Sequence, residues 1–337
     1  MAASSAVVAR EETITLPTYL VGPPDQTPPV SRLWGYWRIY PYPMLDELTD
    51  KRENRDYRAL VIENEYLKLT VLPEIGGHLY AYDKVARRDI FYRPSVIKPA
   101  LIALRGAWIA GGIEFNFPVS HNPLTFAPVD SKLRENADGS ATITIGAYEQ
   151  LTRMRWSVDI SLRPGFARID TRIRVENRTA LPHRYYFWSN SAERVTEGTR
   201  FVSPVTSVHG WQGTMRYPVH DGEYIPAYRN HHVACDLFSR NVRADFFGCY
   251  DDEANEGVIN VADHRQVTGR KYFTWGNAHD GRIWEHILSD GEGPYIEIQS
   301  GPFETQSVFH MLAPHQVNER SECWYPVRDI GGFDYAN

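Results

Sequence analysis

Tyr295-Ile296-Glu297-Ile298-Gln299-Ser300-Gly301 alternates strictly, so a strand through it puts Ile296 and Ile298 on one face and Glu297 with Gln299 on the other. Such a polar face lines either bulk water or a ligand groove. The flanking Pro294 and Gly301-Pro302-Phe303 give it an aromatic, turn-bounded setting that suggests the groove. A carboxylate placed there handles protons, which makes Glu297 the first catalytic candidate of a sugar site and Gln299 a binding residue beside it. A second constellation is Ala110-Gly111-Gly112-Ile113-Glu114-Phe115-Asn116-Phe117-Pro118-Val119-Ser120-His121-Asn122-Pro123, where paired glycines permit close backbone approach and polar residues alternate with aromatic ones. It offers Glu114 and His121 as catalytic candidates and Asn116 as a binding residue. If Glu114 faces Glu297 across a groove, the two form the carboxyl pair that acid/base chemistry at an acetal or hemiacetal needs. A structural carboxylate satisfying turn amides is the competing role for Glu114, and a surface loop position is the competing role for His121.

Three further groups could bind a sugar. Alternation along Tyr185-Tyr186-Phe187-Trp188-Ser189-Asn190 puts Tyr186, Trp188 and Asn190 on one face, where Trp188 could stack on a pyranose ring and Asn190 bond its hydroxyls. Core packing is the commoner fate of such a run. His209-Gly210-Trp211-Gln212-Gly213 reads as a polar, aromatic loop that offers Trp211 for binding and His209 as a further candidate acid. Lys271-Tyr272-Phe273-Thr274-Trp275-Gly276 reads as a strand ending in a tight turn, with Lys271 and Trp275 as binding groups. None of His231-His232, His264, His279-Asp280 or His286 has zinc-ligand spacing, and Asp251-Asp252-Glu253 lacks the calcium-loop pattern. No glycine loop of nucleotide-binding type precedes a helix. Neither metal nor cofactor is therefore expected.

The elements that must position these residues are strands. Leu67, Leu69 and Val71 alternate with polar residues, as do Trp156, Val158, Ile160 and Leu162, and Arg163-Pro164-Gly165-Phe166 reverses the chain into Ile169–Val175. Further strands are expected at 184–190, 243–250, 257–261, 271–275, 282–288 and 305–311, while helical periodicity is confined to 96–105. Many short strands between Gly/Pro turns make this an all-β protein, a sandwich or barrel. The proline-dense stretch Gly22–Pro29 divides an extended N-terminal arm, residues 1–30, from one large domain, residues 31–337.

A net charge of −6 with no basic run excludes the electrostatic footprint of a nucleic-acid or anionic-membrane binder. Aromatic residues make up 13% of the chain, enough to fill a core and also to line a sugar site. Three cysteines in no paired spacing argue against a disulfide framework. With no apolar run of signal-peptide or membrane-spanning length, the expectation is a soluble cytoplasmic protein with a mono- or oligosaccharide partner. Whether it forms a homodimer stays open.

In the order of its motifs, the chain resembles the galactose mutarotase-like superfamily, most closely the DUF5107 family, over roughly residues 30–335. Val71-Leu72-Pro73-Glu74-Ile75-Gly76-Gly77-His78-Leu79 is similar to the strand-turn-strand opening of aldose epimerases. Gly111-Gly112-Ile113 with Phe117-Pro118 is similar to a signature of the hexose-6-phosphate epimerase branch, and Ile296-Glu297-Ile298 to the C-terminal strand carrying the epimerase general base. The resemblance implies a large antiparallel β-sandwich with a concave sugar-binding face and Glu297 as base. Two departures stand out. Ala110 occupies the place of the phosphate-branch arginine, with Arg105 several residues earlier. The epimerase acid, a histidine before a Tyr-Phe pair, is only loosely repeated in His183-Arg184-Tyr185-Tyr186-Phe187, and another register puts Ser189 or Asn190 there. The implied activity is acid/base catalysis at an anomeric centre. Hydrolysis of a glycosidic bond by Glu114 and Glu297, or glycan binding without catalysis, are the alternatives.

Overall fold

The computed structural model describes residues 6–27, 30–31, 38–39 and 41–331. Among them two large sheets dominate, and every strand pairing within both is antiparallel. The larger sheet has twelve strands. Along it lie Val8–Val21, Leu48–Glu63, Leu67–Leu72, His78–Asp83, Ile113–Asn116, Trp188–Arg194, Tyr295–Gly301, Gly269–Thr274, Cys235–Ser239, Ser207–Gly210 and Gly213–Arg216, with the short Arg88–Asp89 pairing beside His78–Asp83. The second sheet has eight strands and includes Ala141–Tyr148, Arg155–Leu162, Ile169–Glu176 and Val317–Arg328. Val8–Val21, within the segment read as an arm, is the edge strand of the large sheet and pairs along Leu48–Glu63.

Alternation produces this packing directly. Trp156, Val158, Ile160 and Leu162 are fully buried while Ser157, Asp159 and Ser161 between them are half-buried. Their apolar rows meet Leu69, Leu79, Ile113 and Phe115 of the large sheet in one continuous core. The opposite face of the large sheet carries the polar candidates. In Tyr295–Gly301 every residue is buried: Ile296 and Ile298 enter an apolar cluster between the sheets, while Glu297 and Gln299 are covered from the other side.

Two segments adopt a different secondary structure from the one their sequence suggests, and both help to cover that face. Residues 96–105, expected to be helical, contain the strand Ala100–Ala103, which turns through Gly106 into Gly106–Trp108. A Cβ at Gly106 would sit 2.4 Å from the Leu45 carbonyl, and φ there is +104°, so close backbone approach and a left-handed turn override the helical pattern. Residues 282–288, expected to be a strand, lie inside the helix His279–Ser289. Its inward contacts come from Gly281, Trp284 and Leu288, spaced three and four apart as one helix face requires. In 305–311 only His310–Met311 is extended, as the start of His310–Leu312, which pairs with His183–Tyr185.

Candidate active site

Register sets the site. Glu114 pairs with Asn190, Asn190 with Gln299, and Gln299 with Lys271, so these four side chains form one row across four adjacent strands. Two residues along the strands, Ala192, Glu297, Phe273 and Asp236 form the next row on the same face. All four members of the first row are 2–6% exposed and Glu297 is 4% exposed, so a roof of packed side chains shields them from bulk solvent. That roof combines Trp108 of the 100–108 hairpin, the helix His279–Ser289, the loop bearing His121 and the loop bearing Gln306. Half-buried Phe273, Asp236, Gln306 and His121 mark its thin edge.

Glu297 Oε2 accepts from Asn190 Nδ2 at 3.1 Å and from Gln299 Nε2 at 2.9 Å. Gln299 Oε1 in turn accepts from Gln306 Nε2 at 2.6 Å. The Gln306 Oε1 atom accepts from Lys271 Nζ at 2.8 Å, and Lys271 pairs with Asp236 Oδ1 at 2.6 Å. Asp236 Oδ2 accepts from the indole N–H of Trp211 at 3.1 Å. Glu114 belongs to a different cluster: its Oε2 accepts from Trp108 Nε1 at 3.0 Å and lies 2.9 Å from His121 Nδ1. Two buried polar atoms on this face, Glu114 Oε1 and Asn190 Oδ1, have no protein partner. Such atoms suit a ligand's hydroxyl groups.

The two carboxylates are driven in opposite directions. Burial pushes Glu297 above the ordinary carboxyl value, and the positive charges of His121 and Lys271 only partly oppose it. Burial would raise Glu114 too, but the adjoining His121, with His78 and the Trp108 donor, carries it down to about 2. Burial lowers His121, yet the Glu114 and Glu297 carboxylates outweigh it and hold the imidazole above its usual 6.5. Tyr186 and Tyr295 are pushed up by burial, with both carboxylates adding to the shift, and stay neutral.

Glu297, Glu114, His121, Asn190, Gln299 and Lys271 thus come together. Asn116 lies on the same face, but its Oδ1 accepts from the Asn122 backbone N–H at 3.1 Å. It therefore anchors the loop that presents His121. Trp188 is fully buried near Tyr186 and Phe238 and offers no open ring face for stacking. Trp275 is a wall residue, its ring 4.4 Å from that of Trp284 and its N–H donating to Tyr295 Oη at 2.9 Å. His209 is too remote to share a proton with Glu297. It is exposed, bonded to Thr214, and three strand spacings from Gln299, about 14 Å. Sequence reasoning missed Asp236, Gln306, Trp108 and Trp284. Only Asp236 had a usable signal, the alternation of the strand that pairs with Lys271. Elsewhere Asp245, Asp263 and His264 bring potential metal-ligand atoms within 4.8 Å, but His264 is bonded to Asp245 and Arg265 to Asp263.

A twelve-stranded sheet backed by an eight-stranded one, with a roofed polar face, is the galactose mutarotase-like sandwich. The sequence profile described as "Domain of unknown function (DUF5107)" matches residues 36–327, and the chain belongs to that family. Among solved structures, a TPR-domain containing protein from Parabacteroides distasonis is 27% identical with a TM-score of 0.87. The match covers 99% of this chain and 57% of that one, so the present chain spans little more than half the length of that relative. A putative aldose 1-epimerase from Klebsiella pneumoniae is 12% identical with a TM-score of 0.57, covering 96% of this chain and 92% of that one. For a putative mutarotase from Salmonella typhimurium the identity is 10%, the TM-score 0.59 and the coverage 85% and 97%. These last two share the fold. No helix among the described residues is long and apolar enough to cross a membrane.

Proposed function

We propose that the protein acts at the anomeric centre of a sugar by acid/base catalysis, with Glu297 as base and His121 as acid. The observation that carries this reading is the opposite displacement of two carboxyls on one face, with an imidazole interacting with both. A base works better as its proton affinity rises toward the working pH, and upward is the direction in which burial moves Glu297. Ionised Glu114 favours the protonated form of His121 and orients its ring. Glu297 would take the proton from the anomeric hydroxyl while His121 donates one to the ring oxygen; the ring C–O bond breaks and a carbonyl forms. After rotation about the C1–C2 bond the same groups close the ring in reverse. Two neutral amides, Asn190 and Gln299, steady the Glu297 carboxylate without neutralising it.

Glycoside hydrolysis has one specific observation in its favour. Raised Glu297 suits a general acid and ionised Glu114, with its unpartnered Oε1, suits a base. Their α-carbons are two strands and two residues apart, about 12 Å, so the two side chains reach toward one another from separate strands of one face. Saturation-transfer NMR on free aldoses tests the first reading, and release of new reducing ends from aryl glycosides and oligosaccharides tests the second. Glu297→Gln is expected to lower turnover by about 10²–10⁴-fold while keeping sugar affinity within a few-fold. Sugar binding with no turnover by the unaltered protein would leave only a binding role.

A further inference from the structure

The most exposed large apolar side chain among the described residues is Trp211, at 79%. It sits at the tip of the hairpin joining Ser207–Gly210 to Gly213–Arg216, on the sheet that floors the catalytic face. An indole so exposed would ordinarily be free to swing. Here its N–H is fixed on Asp236 Oδ2 at 3.1 Å, and the other oxygen of that carboxylate pairs with Lys271. The hydrogen-bonded chain then runs through Gln306 and Gln299 to Glu297. The ring is thus held in place, its position tied to the groups around the base. Asp236 and Glu297 lie in one row with Phe273 between them, two strand spacings or about 10 Å apart, so Trp211 stands beyond the far end of the row that begins at the base. His209, on the same hairpin, is exposed and has Nδ1 held by Thr214 Oγ1 at 3.1 Å, which leaves Nε2 available to a hydroxyl.

We propose that Trp211, with His209 beside it, forms an outer subsite on which a second sugar ring stacks, so that the substrate is a disaccharide or longer glycan and not a free monosaccharide. An indole face accepts the C–H face of a pyranose, and a flat ring fixed by one hydrogen bond loses little freedom when it does so. The proposal rests on the reading of the Glu297 face as a sugar site. It turns the two exposed residues, which the inner chemistry does not use, into determinants of chain length.

The test is calorimetric titration of wild type, Trp211→Ala and Trp211→Phe with glucose, galactose and mannose and with cellobiose, lactose and maltose, turnover being measured in the same samples. At least one disaccharide should bind wild type about five- to tenfold more tightly than its constituent monosaccharides. Trp211→Ala should erase that advantage with monosaccharide affinity unchanged, and Trp211→Phe should retain most of it. Trp211 is exposed and its side chain bonds only to Asp236, so neither variant threatens folding. A disaccharide advantage that is absent in wild type, or that survives Trp211→Ala, overturns the subsite. Equal loss for mono- and disaccharides does so too. A Trp211-dependent advantage without turnover upholds the subsite and refutes the catalytic reading; turnover with no such advantage does the reverse. No binding by any of these sugars sinks both.

Discussion

Replacing Glu114 by glutamine removes one charge from the site and keeps its shape, so it isolates what that charge does for His121. The move of the Glu114 carboxyl from its ordinary 4.5 to about 2 corresponds to on the order of 3 kcal/mol in favour of the ionised form. His121 contributes most to that preference, so it must be favoured as imidazolium in return. The signs follow from linkage. Stability from depressed Glu114 is present above 4.5 and is lost as pH falls toward 2; stability from raised His121 is full below 6.5 and is lost as pH climbs through its folded value. In Glu114→Gln the His121 titration should move acidward by about 1–2 pH units. The alkaline limb of turnover should move with it, because the acid then loses its proton earlier. Neutral-pH stability should fall by about 2 kcal/mol, below the 3–5 kcal/mol typical of a broken buried pair, because the His121 side chain is 20% exposed. NMR titration of the His121 ring protons reads the first effect without any substrate, and urea unfolding at pH 7 reads the last. A ring that titrates within about half a pH unit of its wild-type value would refute the coupling and with it the assignment of His121 as acid.

Two other perturbations probe the scaffold of the site. Lys271→Met leaves Asp236 without its cation and should destabilise the fold by about 2–3 kcal/mol in urea unfolding. The Lys271 charge also favours ionised Glu297, so its loss should raise the Glu297 value and shift the acid limb of turnover upward; an unmoved limb would place Lys271 outside the base's field. Gly301→Ala would put a Cβ 2.6 Å from Trp188 Cδ2 and 2.9 Å from the Phe187 carbonyl. Because Trp188 is fully enclosed, the ring cannot yield, and thermal unfolding should report a loss of about 1–3 kcal/mol; an unchanged midpoint would mean that the Trp188 packing is looser than described.

Local pattern settled a good part of this molecule. Period-two alternation in Leu67–Leu72, Arg155–Leu162 and Tyr295–Gly301 specifies strands and their faces, because each side chain's direction is fixed by the pleat. It also singled out Glu297 with Gln299 and Glu114 with Asn116 as polar pairs on otherwise apolar strands. Alternation could not say which strands would be neighbours. That Asn190 lies between Glu114 and Gln299, or that Asp236 shares a row with Glu297, depends on sheet order among segments far apart in the chain. The covering pieces were the least legible. The 100–108 hairpin and the helix His279–Ser289 take their form from what they pack on, the 41–46 backbone in one case and Trp275 and Tyr295 in the other, so their own periodicity pointed the wrong way. Trp188 and His209 show the same division. Their residue types suggested sugar chemistry, but burial closed one ring and three strand spacings removed the other from the base. By itself, then, the sequence determined an all-β chain and the faces that carry its carboxyls. Only tertiary structure decided that His121 would reach Glu114 and interact with Glu297 beneath a cover of packed side chains, since proton affinity depends on the charges and solvent a group meets in space.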